Sequence, residues 1–376
     1  MNGPRTSRLP LVAHRCVVRA ERALRAAGVG HEPVLLGVSG GSDSMALLQV
    51  TSMLAPPLVL TLHVACIDHG LRSEAAGESR LVRETAESLG ARFHAERIDP
   101  GRGSEDELRD ARHAALLRIA RANACRFVLL AHTADDQVET IVMRFLRGAG
   151  LGGLAGMRPV RAPFVRPLLD CRRDELRELL GACGLAWAED ASNASPRYAR
   201  GRLRTLVLPA IEAAFGKGAL AHLLDVAPRW RVDEDFLERE ASRLLAAAGR
   251  LGERGGELDL DELAAAHPAL RARALRAWIL GRTGRTIPSR ELAGIERWLD
   301  DGGGRGGLDL AGLRLERRDR RLRLGSPAAG PTGSPRVDSG PSSGEIPKDS
   351  AAGTARAPGE GVLPPSHGRV RVPRNS

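Results

Sequence analysis

The sequence contains few cysteines, and they are widely scattered. Its 376 residues include five, and no two of them form a C-x-x-C pair: Cys16, Cys66, Cys125, Cys171 and Cys183. This spacing argues against zinc and iron–sulfur sites built on paired cysteines. The cysteines lie in apolar segments, which is typical of reduced structural thiols. We therefore expect a cytoplasmic protein.

Long apolar runs are also missing. No stretch reaches the roughly 18 apolar residues that a transmembrane helix needs. Near the N-terminus, Arg15, Arg19, Glu21 and Arg22 interrupt the apolar region that a signal peptide would require. The sequence therefore predicts no association with a membrane.

Lysine is rare, although the chain is strongly basic. Its formal net charge is +10 with a sequence pI near 10.5, yet among 56 basic residues only Lys217 and Lys348 are lysines. The excess of positive charge predicts a polyanionic partner, nucleic acid first. Because the chain is also rich in alanine and glycine, a codon bias could inflate the arginine total. The clustering of arginines is better evidence for nucleic-acid binding than their total number, and arginines cluster at 197–204 and 314–323.

Residues 33–48 combine a strand, a glycine-containing turn and a helix. Residues 34–38 are apolar β-formers, and a helical apolar pattern follows the turn. The turn consists of Ser39, Gly40, Gly41, Ser42, Asp43 and Ser44. Adjacent glycines permit close approach of a ligand, and the free N–H groups of the helix start attract anions. The pattern predicts a phosphate site, with Asp43 able to hold Mg²⁺. An ordinary capped strand–helix turn is the alternative.

Strand-like and helical segments alternate over the first half of the chain. Strands are predicted at 33–38, 58–66, 92–98, 127–131 and 165–169, and helices at 10–27, 74–89, 104–122 and 171–183. Ser104 is expected to cap the helix at 104–122. This alternation predicts an α/β fold with a parallel sheet and helices on both faces.

The second half has a different character. Five glycines in 147–157 indicate a mobile loop or a surface of close approach. Residues 219–300 read as helices with Trp230, Trp278 and Trp298 as core anchors, and 306–324 read as a β-hairpin or a pair of short strands. Gly, Pro and Ser dominate from residue 325, which is typical of disorder. We predict a nucleotide-binding α/β domain at 1–215, a helical and mixed domain at 216–325, and a disordered tail at 326–376.

Polar clusters follow three of the predicted strands. They occupy 39–44, 68–72 and 132–140, and ligands bind at the carboxyl ends of parallel strands. Each of the latter two contains a histidine, His69 and His132, whose position after a strand favours a functional role over a buried structural one. We expect the three clusters to share one rim of the sheet.

Two carboxylates in the third cluster are three residues apart. Asp136 and Glu139 would share a helix face, where they could bind an ammonium group or accept its proton. They could instead complement the helix dipole, the role that we assign to Asp135. On the preceding helix, Arg109 and Arg112 could reach phosphates, although an arginine pair is more commonly a solvated helix face.

Taken together, these motifs resemble a known family. The loop at 39–44 is similar to the pyrophosphate loop of the N-type ATP pyrophosphatases. Within that group the chain resembles the tRNA(Ile)-lysidine synthetase family. The matching segments are 67–72, 109–112, 131–140, 146–157, 166–169, 190–193, 200–204 and 208–209, with a weaker likeness over 256–324. His113 and Thr133 depart from the family pattern, which often has tyrosine and histidine there.

The resemblance implies a C–N bond-forming ligase. Its catalytic domain, at 1–215, would have a PP-loop ATP-binding fold (adenine nucleotide alpha hydrolase-like), and the domain at 216–325 would bind tRNA. ATP and Mg²⁺ would sit at residues 39–44, with Asp43 as the metal ligand. The cytidine at the first anticodon position of an isoleucine tRNA with a CAU anticodon would be adenylated. Free L-lysine would then displace AMP to form lysidine. Codon reading would change from AUG to AUA, and charging identity from methionine to isoleucine.

The resemblance also implies roles for individual residues. Asp136 and Glu139 would hold the lysine amine, and Arg112 and His132 would contact the nucleotide or the adenylated intermediate. Arg200, Arg202 and Arg204 would contact the substrate. The sequence leaves the oligomeric state open, a homodimer being one arrangement.

Three other functions are alternatives to this one. A tRNA 2-thiocytidine synthetase would usually need clustered cysteines, which this chain does not have. A ligase resembling GMP synthetase would not need the arginines of 197–204. An RNA-binding protein on a decayed nucleotide fold would not need to retain the 39–44 loop or the two carboxylates.

Overall fold

The structure is a computed structural model that describes residues 10–68, 75–98, 105–189, 199–216, 218–249, 256–301, 305–310 and 313–325. Met1–Gly325 forms one compact unit. The division into 1–215, 216–325 and 326–376 stays a prediction, as does the homodimer. The predicted tail, the Ser104 cap and the motif residues 69–72 and 190–193 lie outside the described residues.

The first half alternates strands with helices as far as β4. The elements are α1 Leu11–Ala26, β1 Pro33–Gly37, α2 Ser42–Leu58, β2 Thr61–Asp68, α3 Ala75–Ser88, β3 Arg92–Arg97, α4 Glu105–Ala122, β4 Phe127–Leu130, α5 Ala134–Leu146, α6 Leu151–Leu154, β5 Val160–Arg161, β6 Phe164–Val165 and α7 Arg173–Ala182. The predicted second strand began too early, because Leu58 completes α2 and the strand starts at Thr61.

The second half of the described chain is mainly helical and ends in strands. Its elements are α8 Ala199–Arg202, a π-helical turn Leu203–Val207, α9 Leu208–Phe215, α10 Ala221–Gly249, β7 Leu258–Asp259, α11 Leu260–Ala265, α12 Pro268–Thr283, α13 Ser289–Asp300, β8 Arg305–Leu310, β9 Leu313–Arg318 and β10 Arg321–Gly325. None of the described helices is both long enough and apolar enough to cross a membrane.

The first sheet has the predicted α/β architecture. Its strand order is β3-β2-β1-β4-β6-β5, and every neighbouring pair is parallel except β5 with β6. The order places β1 and β4 side by side, although two strands and three helices separate them in sequence. Their carboxyl ends therefore open onto the same rim, where a ligand can bind.

Helices cover both faces of this sheet, as the alternation predicts. Leu36 on β1 packs into the core formed with α1, α2, α3 and α7. The neighbouring Leu35 points to the other face and packs with Leu116 and Ala120 of α4. This period of two is what a strand buried on both faces requires.

The fifth predicted strand is shorter and lies earlier than expected. Pairing covers only Phe164–Val165, whereas 165–169 was predicted. Pro167 has no N–H for a sheet ladder, so the chain turns there. Leu168 and Leu169 are nevertheless buried, which explains why they read as part of a strand.

A second core lies in the later helices and strands. Trp278 is its aromatic anchor, and its indole N–H donates to the Gly256 carbonyl at 3.0 Å. Trp298 packs at the margin of this core, whereas Trp230 is half-buried and outside it, contrary to prediction. The predicted hairpin is a four-stranded sheet in the order β7-β10-β9-β8.

The glycine-rich segment is a surface of close approach. At Gly156, φ is +72°, and an added Cβ would lie 2.6 Å from the Gln137 Oε1 atom. Gln137 is buried and bonds both backbone groups of Met157, with its Oε1 accepting at 2.6 Å and its Nε2 donating at 3.1 Å. These contacts fix the segment against α5, the helix that carries Asp136 and Glu139.

A histidine pair links β2 to β3. His63 Nδ1 and His94 Nε2 are 3.0 Å apart, and the rings stack with 5.2 Å between centroids. Burial lowers the pKa of both rings below 6.5, and the charge of Arg92 acts in the same direction. The fold therefore favours the neutral pair.

We expect the free energy of unfolding to decrease as pH falls below about 6.5. A histidine held neutral in the fold but protonated when unfolded costs up to about 1.4 kcal/mol per pH unit below its unfolded pKa. Urea titrations at pH 7.5 and 5.5 measure this dependence. In His63→Gln, which keeps hydrogen-bonding groups, the dependence should be shallower. A dependence equal to that of wild type would remove the pair from the explanation.

Candidate active site

A cavity of about 770 Å³ lies at the carboxyl ends of β1, β2 and β4. Its walls include Ser39, Gly41, Ser42, Asp43 and Ser44 after β1, Asp68 at the end of β2, His132 after β4, Asp136 on α5, Arg112 on α4, and Arg173 and Arg204 from later elements. Residues of the predicted clusters at 39–44 and 132–140 thus meet at one rim. Asp68, the described residue of the cluster at 68–72, lies at the same rim. The volume is in the range of small-molecule sites.

The turn after β1 is braced by its own serines. Ser44 Oγ donates to the Gly41 carbonyl at 2.9 Å and accepts from the Ser39 N–H at 3.1 Å. Gly40 has φ +92°, which a side chain would strain. The first intrahelical bond runs from Met45 N to Gly41 O, so the preceding N–H groups of α2 are available to an anion.

Asp43 is paired with an arginine that the sequence patterns did not reveal. Arg173 Nε donates to Asp43 Oδ2 at 2.9 Å, and its Nη2 donates to Asp136 Oδ1 at 3.3 Å. Burial raises the pKa of Asp43, although Arg173 opposes the shift. Burial lowers the pKa of Arg173, but Asp43 and Asp136 outweigh it and raise that pKa overall. One guanidinium thus joins the turn after β1 to the start of α5.

The start of α5 is closed by a reciprocal capping box. Thr133 is the N-cap, its hydroxyl accepts from the Asp136 N–H, and Asp136 Oδ2 accepts from the Thr133 N–H at 2.9 Å. Asp135 lies in the first turn of α5, where it complements the helix dipole as predicted, and it also accepts from the Arg173 N–H at 2.7 Å at the start of α7. Asp136 keeps its Oδ1 atom facing the arginines.

Glu139 lies deeper than Asp136 and does not line the cavity. Its side chain is 1% exposed, against 14% for Asp136. Arg200 Nε donates to its Oε2 at 2.8 Å, and Arg204 Nε donates to its Oε1 at 2.7 Å. Two arginines predicted to contact substrate therefore hold the carboxylate predicted to bind lysine. Arg202, the third, is exposed on the same helical segment.

Three carboxylates and three guanidinium groups form one charge cluster. The members are Asp43, Asp136, Glu139, Arg173, Arg200 and Arg204. Burial raises the pKa of Asp136, but Arg173, the Thr133 N–H and Arg200 outweigh it and the net direction is downward. Asp136 therefore stays ionised. The three negative and three positive charges of the cluster balance one another, and a ligand can pair with either a carboxylate or a guanidinium group.

His132 and Arg112 form another part of the wall. Burial lowers the pKa of His132 to about 3; Asp136 opposes this shift, and Arg166 and Arg112 reinforce it. The ring is thus neutral near pH 7, and its Nδ1 has no hydrogen-bond partner among the described residues. Arg112 Nε is equally unpartnered within the described ranges. Unpaired buried polar atoms beside a cavity suggest contacts with a ligand.

The arginines of 314–323 are largely neutralised inside their own sheet. Arg314 pairs with Asp309 at 2.7 Å, Arg323 with Glu316 at 2.5 Å, and Arg320 with Asp261. This cluster therefore provides less free charge for nucleic acid than its sequence suggests.

Comparison with known proteins gives consistent matches over most of the chain. Residues 14–211 match the PP-loop domain family, and residues 258–323 match the TilS substrate binding domain. A tRNA(Ile)-lysidine synthase of Mycobacterium tuberculosis (strain ATCC 25618 / H37Rv) is 37% identical over 298 residues, which are 77% of this chain and 90% of the relative. The tRNA(Ile)-lysidine synthase of Salinispora tropica is 37% identical over 309 residues, 79% of this chain and 92% of the relative. Among solved structures, the U34-tRNA thiolase from Methanococcus maripaludis aligns with a TM-score of 0.47 and 16% identity, over 58% of this chain and 79% of that chain.

Proposed function

Because the chain belongs to the tRNA(Ile)-lysidine synthase family, it is an ATP-using enzyme of tRNA modification, and we propose its substrates and steps as follows. The enzyme ligates free L-lysine to C2 of the cytidine at the first anticodon position of a CAU-anticodon isoleucine tRNA. The product, lysidine, pairs with adenine. Codon reading then changes from AUG to AUA, and charging identity from methionine to isoleucine.

The observation that carries this proposal is the Arg173 bridge between Asp43 and Asp136. On one side of the bridge lies a helix start suited to phosphates, and on the other a cluster suited to an amino acid. A ligase that activates one substrate with ATP and then joins it to an amine needs both within one cavity.

The nucleotide side is the turn after β1. The free N–H groups of α2 would bind the phosphates, and Gly40 and Gly41 would let the phosphates approach the backbone. The residues present fit Mg²⁺, which prefers carboxylate oxygens as ligands. Asp43 and Asp136 are close enough to pair with the same cationic group, the Arg173 guanidinium. Asp43 would hold the ion, whose charge would stabilise the departing pyrophosphate. No cluster of three or more potential ligands occurs in the described ranges, so phosphates and water would complete the coordination.

The first step forms the adenylated tRNA. The C2 carbonyl oxygen of the cytidine attacks the α-phosphorus of ATP, and the bond to the bridging oxygen breaks to release pyrophosphate. His132 is neutral, so its unpartnered Nδ1 can exchange a hydrogen bond with the base without adding charge. Arg112, whose buried Nε lacks a partner among the described residues, would stabilise charge on the phosphate.

The lysine side is the carboxylate–guanidinium cluster. Amino groups of lysine match Asp136 and Glu139, and its α-carboxylate matches Arg200 and Arg204. Of the two acids Asp136 faces the cavity, so an entering ammonium competes with Arg173 for its Oδ1 atom. Glu139 acts from behind, by fixing the two arginines.

The second step transfers lysine to the base. The ε-ammonium gives its proton to a carboxylate, the neutral amine attacks C2, and the C2–O bond breaks as AMP leaves with the oxygen.

Sulfur transfer fits the cavity less well. All five cysteines are described and free, and Cys66 is the only one on the cavity wall. A second thiol for relay chemistry is therefore missing among the wall residues.

Incorporation of labelled lysine tests the proposed function. The purified enzyme is incubated with ATP, Mg²⁺, radiolabelled lysine and a transcript of isoleucine tRNA carrying CAU. We expect one lysine per tRNA, dependent on ATP. A methionine tRNA with the same anticodon is the control for recognition and should take up far less lysine. Radiolabel in neither tRNA, with the folded enzyme and ATP present, would refute the proposed function.

A further inference from the structure

A second group of arginines lies beside the cavity and carries unbalanced charge. It consists of Arg109 and Arg112 on α4, Arg161 on β5 and Arg166 after β6. Among the described residues none of these four forms an ion pair, in contrast to the paired arginines of 314–323. We call this group the β5–α4 arginine cluster.

The members of the cluster are close enough to repel one another. Burial, together with the charges of Arg109 and Arg161, lowers the pKa of Arg166 to about 10. Burial and Arg109 likewise lower the pKa of Arg112. Arg166 is 5% exposed, and its Nε has no partner among the described residues. Such a concentration of positive charge is stabilised when an anion binds to it.

An aromatic pair adjoins the same cluster. The rings of His113 and Phe164 are 4.6 Å apart between centroids, and both are half-buried. Burial, together with the charges of Arg112, Arg109 and Arg166, lowers the pKa of His113 to about 4. The histidine ring is therefore neutral at pH 7. Flat rings among cationic side chains are typical of surfaces that bind single-stranded nucleic acid.

The position of the cluster separates it from the nucleotide side of the cavity. Only Arg112 lines the cavity, whereas Arg109 and Arg161 are exposed outside it. The turn at 39–44 already offers its N–H groups to a triphosphate. A base that reacts inside the cavity must leave its stack, and its flanking backbone then remains at the mouth.

Resting on the proposed function, we propose that the β5–α4 arginine cluster binds the backbone phosphates of the single-stranded RNA on either side of the reacting cytidine. Arg112 links this track to the cavity, while Arg109 and Arg161 make its solvent-facing contacts. Arg166 supports them from below, because its Nη1 is anchored on the Arg158 carbonyl at 2.9 Å.

Salt-dependent binding of an anticodon stem-loop tests this inference. Arg109→Gln and Arg161→Gln change exposed side chains, so melting temperatures equal to wild type are expected. Each should lower affinity for a CAU stem-loop about 3- to 10-fold and flatten the slope of log affinity against log salt by about one unit. The double variant should flatten it by about two units. ATP affinity measured without RNA should stay within about twofold of wild type.

Arg118→Gln is the matched control. It removes the same charge from the same helix, but Arg118 already pairs with Glu96. Its slope should match that of wild type. Equal flattening by Arg118→Gln, an unchanged slope in the double variant, or a loss confined to ATP binding would each overturn the inference. Binding is measured without catalysis. A failure of lysine incorporation would therefore refute the proposed function without affecting these slopes.

Discussion

Replacing Asp43 by alanine should abolish the tRNA-dependent exchange of pyrophosphate into ATP, with a loss of about 10³-fold or more. The carboxylate lies in the first turn of α2, at the helix start where phosphates would bind, and it lines the cavity. Removing a charge that organises a metal and phosphates inside a partly desolvated site typically costs this much. Exchange is measured with labelled pyrophosphate, ATP, Mg²⁺ and tRNA, without lysine.

The fold should survive this change, because Arg173 keeps its second partner, Asp136. A melting temperature close to that of wild type checks this. Ser42→Ala is the matched control, since it removes only the hydroxyl that donates to Asp43 Oδ1 at 3.4 Å. It should lower exchange no more than a few fold. Exchange near the wild-type rate in folded Asp43→Ala would exclude Asp43 from the first step.

Charge removal at Asp136 and Glu139 should separate the two half-reactions. Asp136→Asn and Glu139→Gln keep the size of each side chain but remove a charge, at Asp136 on the cavity wall and at Glu139 behind it, where the carboxylate holds Arg200 and Arg204. We expect the apparent KM for lysine to rise, with a loss in kcat/KM on the order of 2–4 kcal/mol for a desolvated charge pair. Adenylation should persist in both variants, so adenylated tRNA should accumulate when lysine is scarce.

The two variants should differ in a second property. Asp136 faces the cavity, whereas Glu139 is buried and holds Arg200 and Arg204. Glu139→Gln leaves these arginines without their main carboxylate, so it should also lower the melting temperature. Asp135→Asn, at the neighbouring position, is a control that should leave the KM for lysine unchanged. Loss of adenylation in both variants with a normal lysine dependence would assign the two acids to the nucleotide side.

The sequence predicted the parallel sheet because its signals are local. β1, β2 and β4 are short, largely apolar runs, whereas β3 is mostly polar, and alternation with helices implies parallel pairing. The rim was predictable for the same reason, since ligands gather at the carboxyl ends of strands. The strand at Phe164–Val165 was misjudged because burial of Leu168 and Leu169 imitates a strand when Pro167 is overlooked.

The partners within the site could not be predicted from local patterns. Arg173 meets Asp43 across 130 positions of sequence, and no spacing rule links residues so far apart. Helical periodicity placed Asp136 and Glu139 on one face, but it could not show that Glu139 is buried beneath Arg200 and Arg204. One signal was present and missed: Thr133 followed by Asp136 three residues later has the spacing of a capping box.

The central claim is that one cavity adenylates the tRNA and then exchanges AMP for lysine. A two-stage experiment tests it most directly, with ATP labelled at the α-phosphate and lysine carrying a different label. Without lysine, we predict that labelled AMP becomes attached to the CAU-anticodon tRNA. Added lysine should then release that AMP and enter the tRNA in equal amount. Lysine incorporation without any AMP on the tRNA, or AMP attached to lysine instead, would contradict the account.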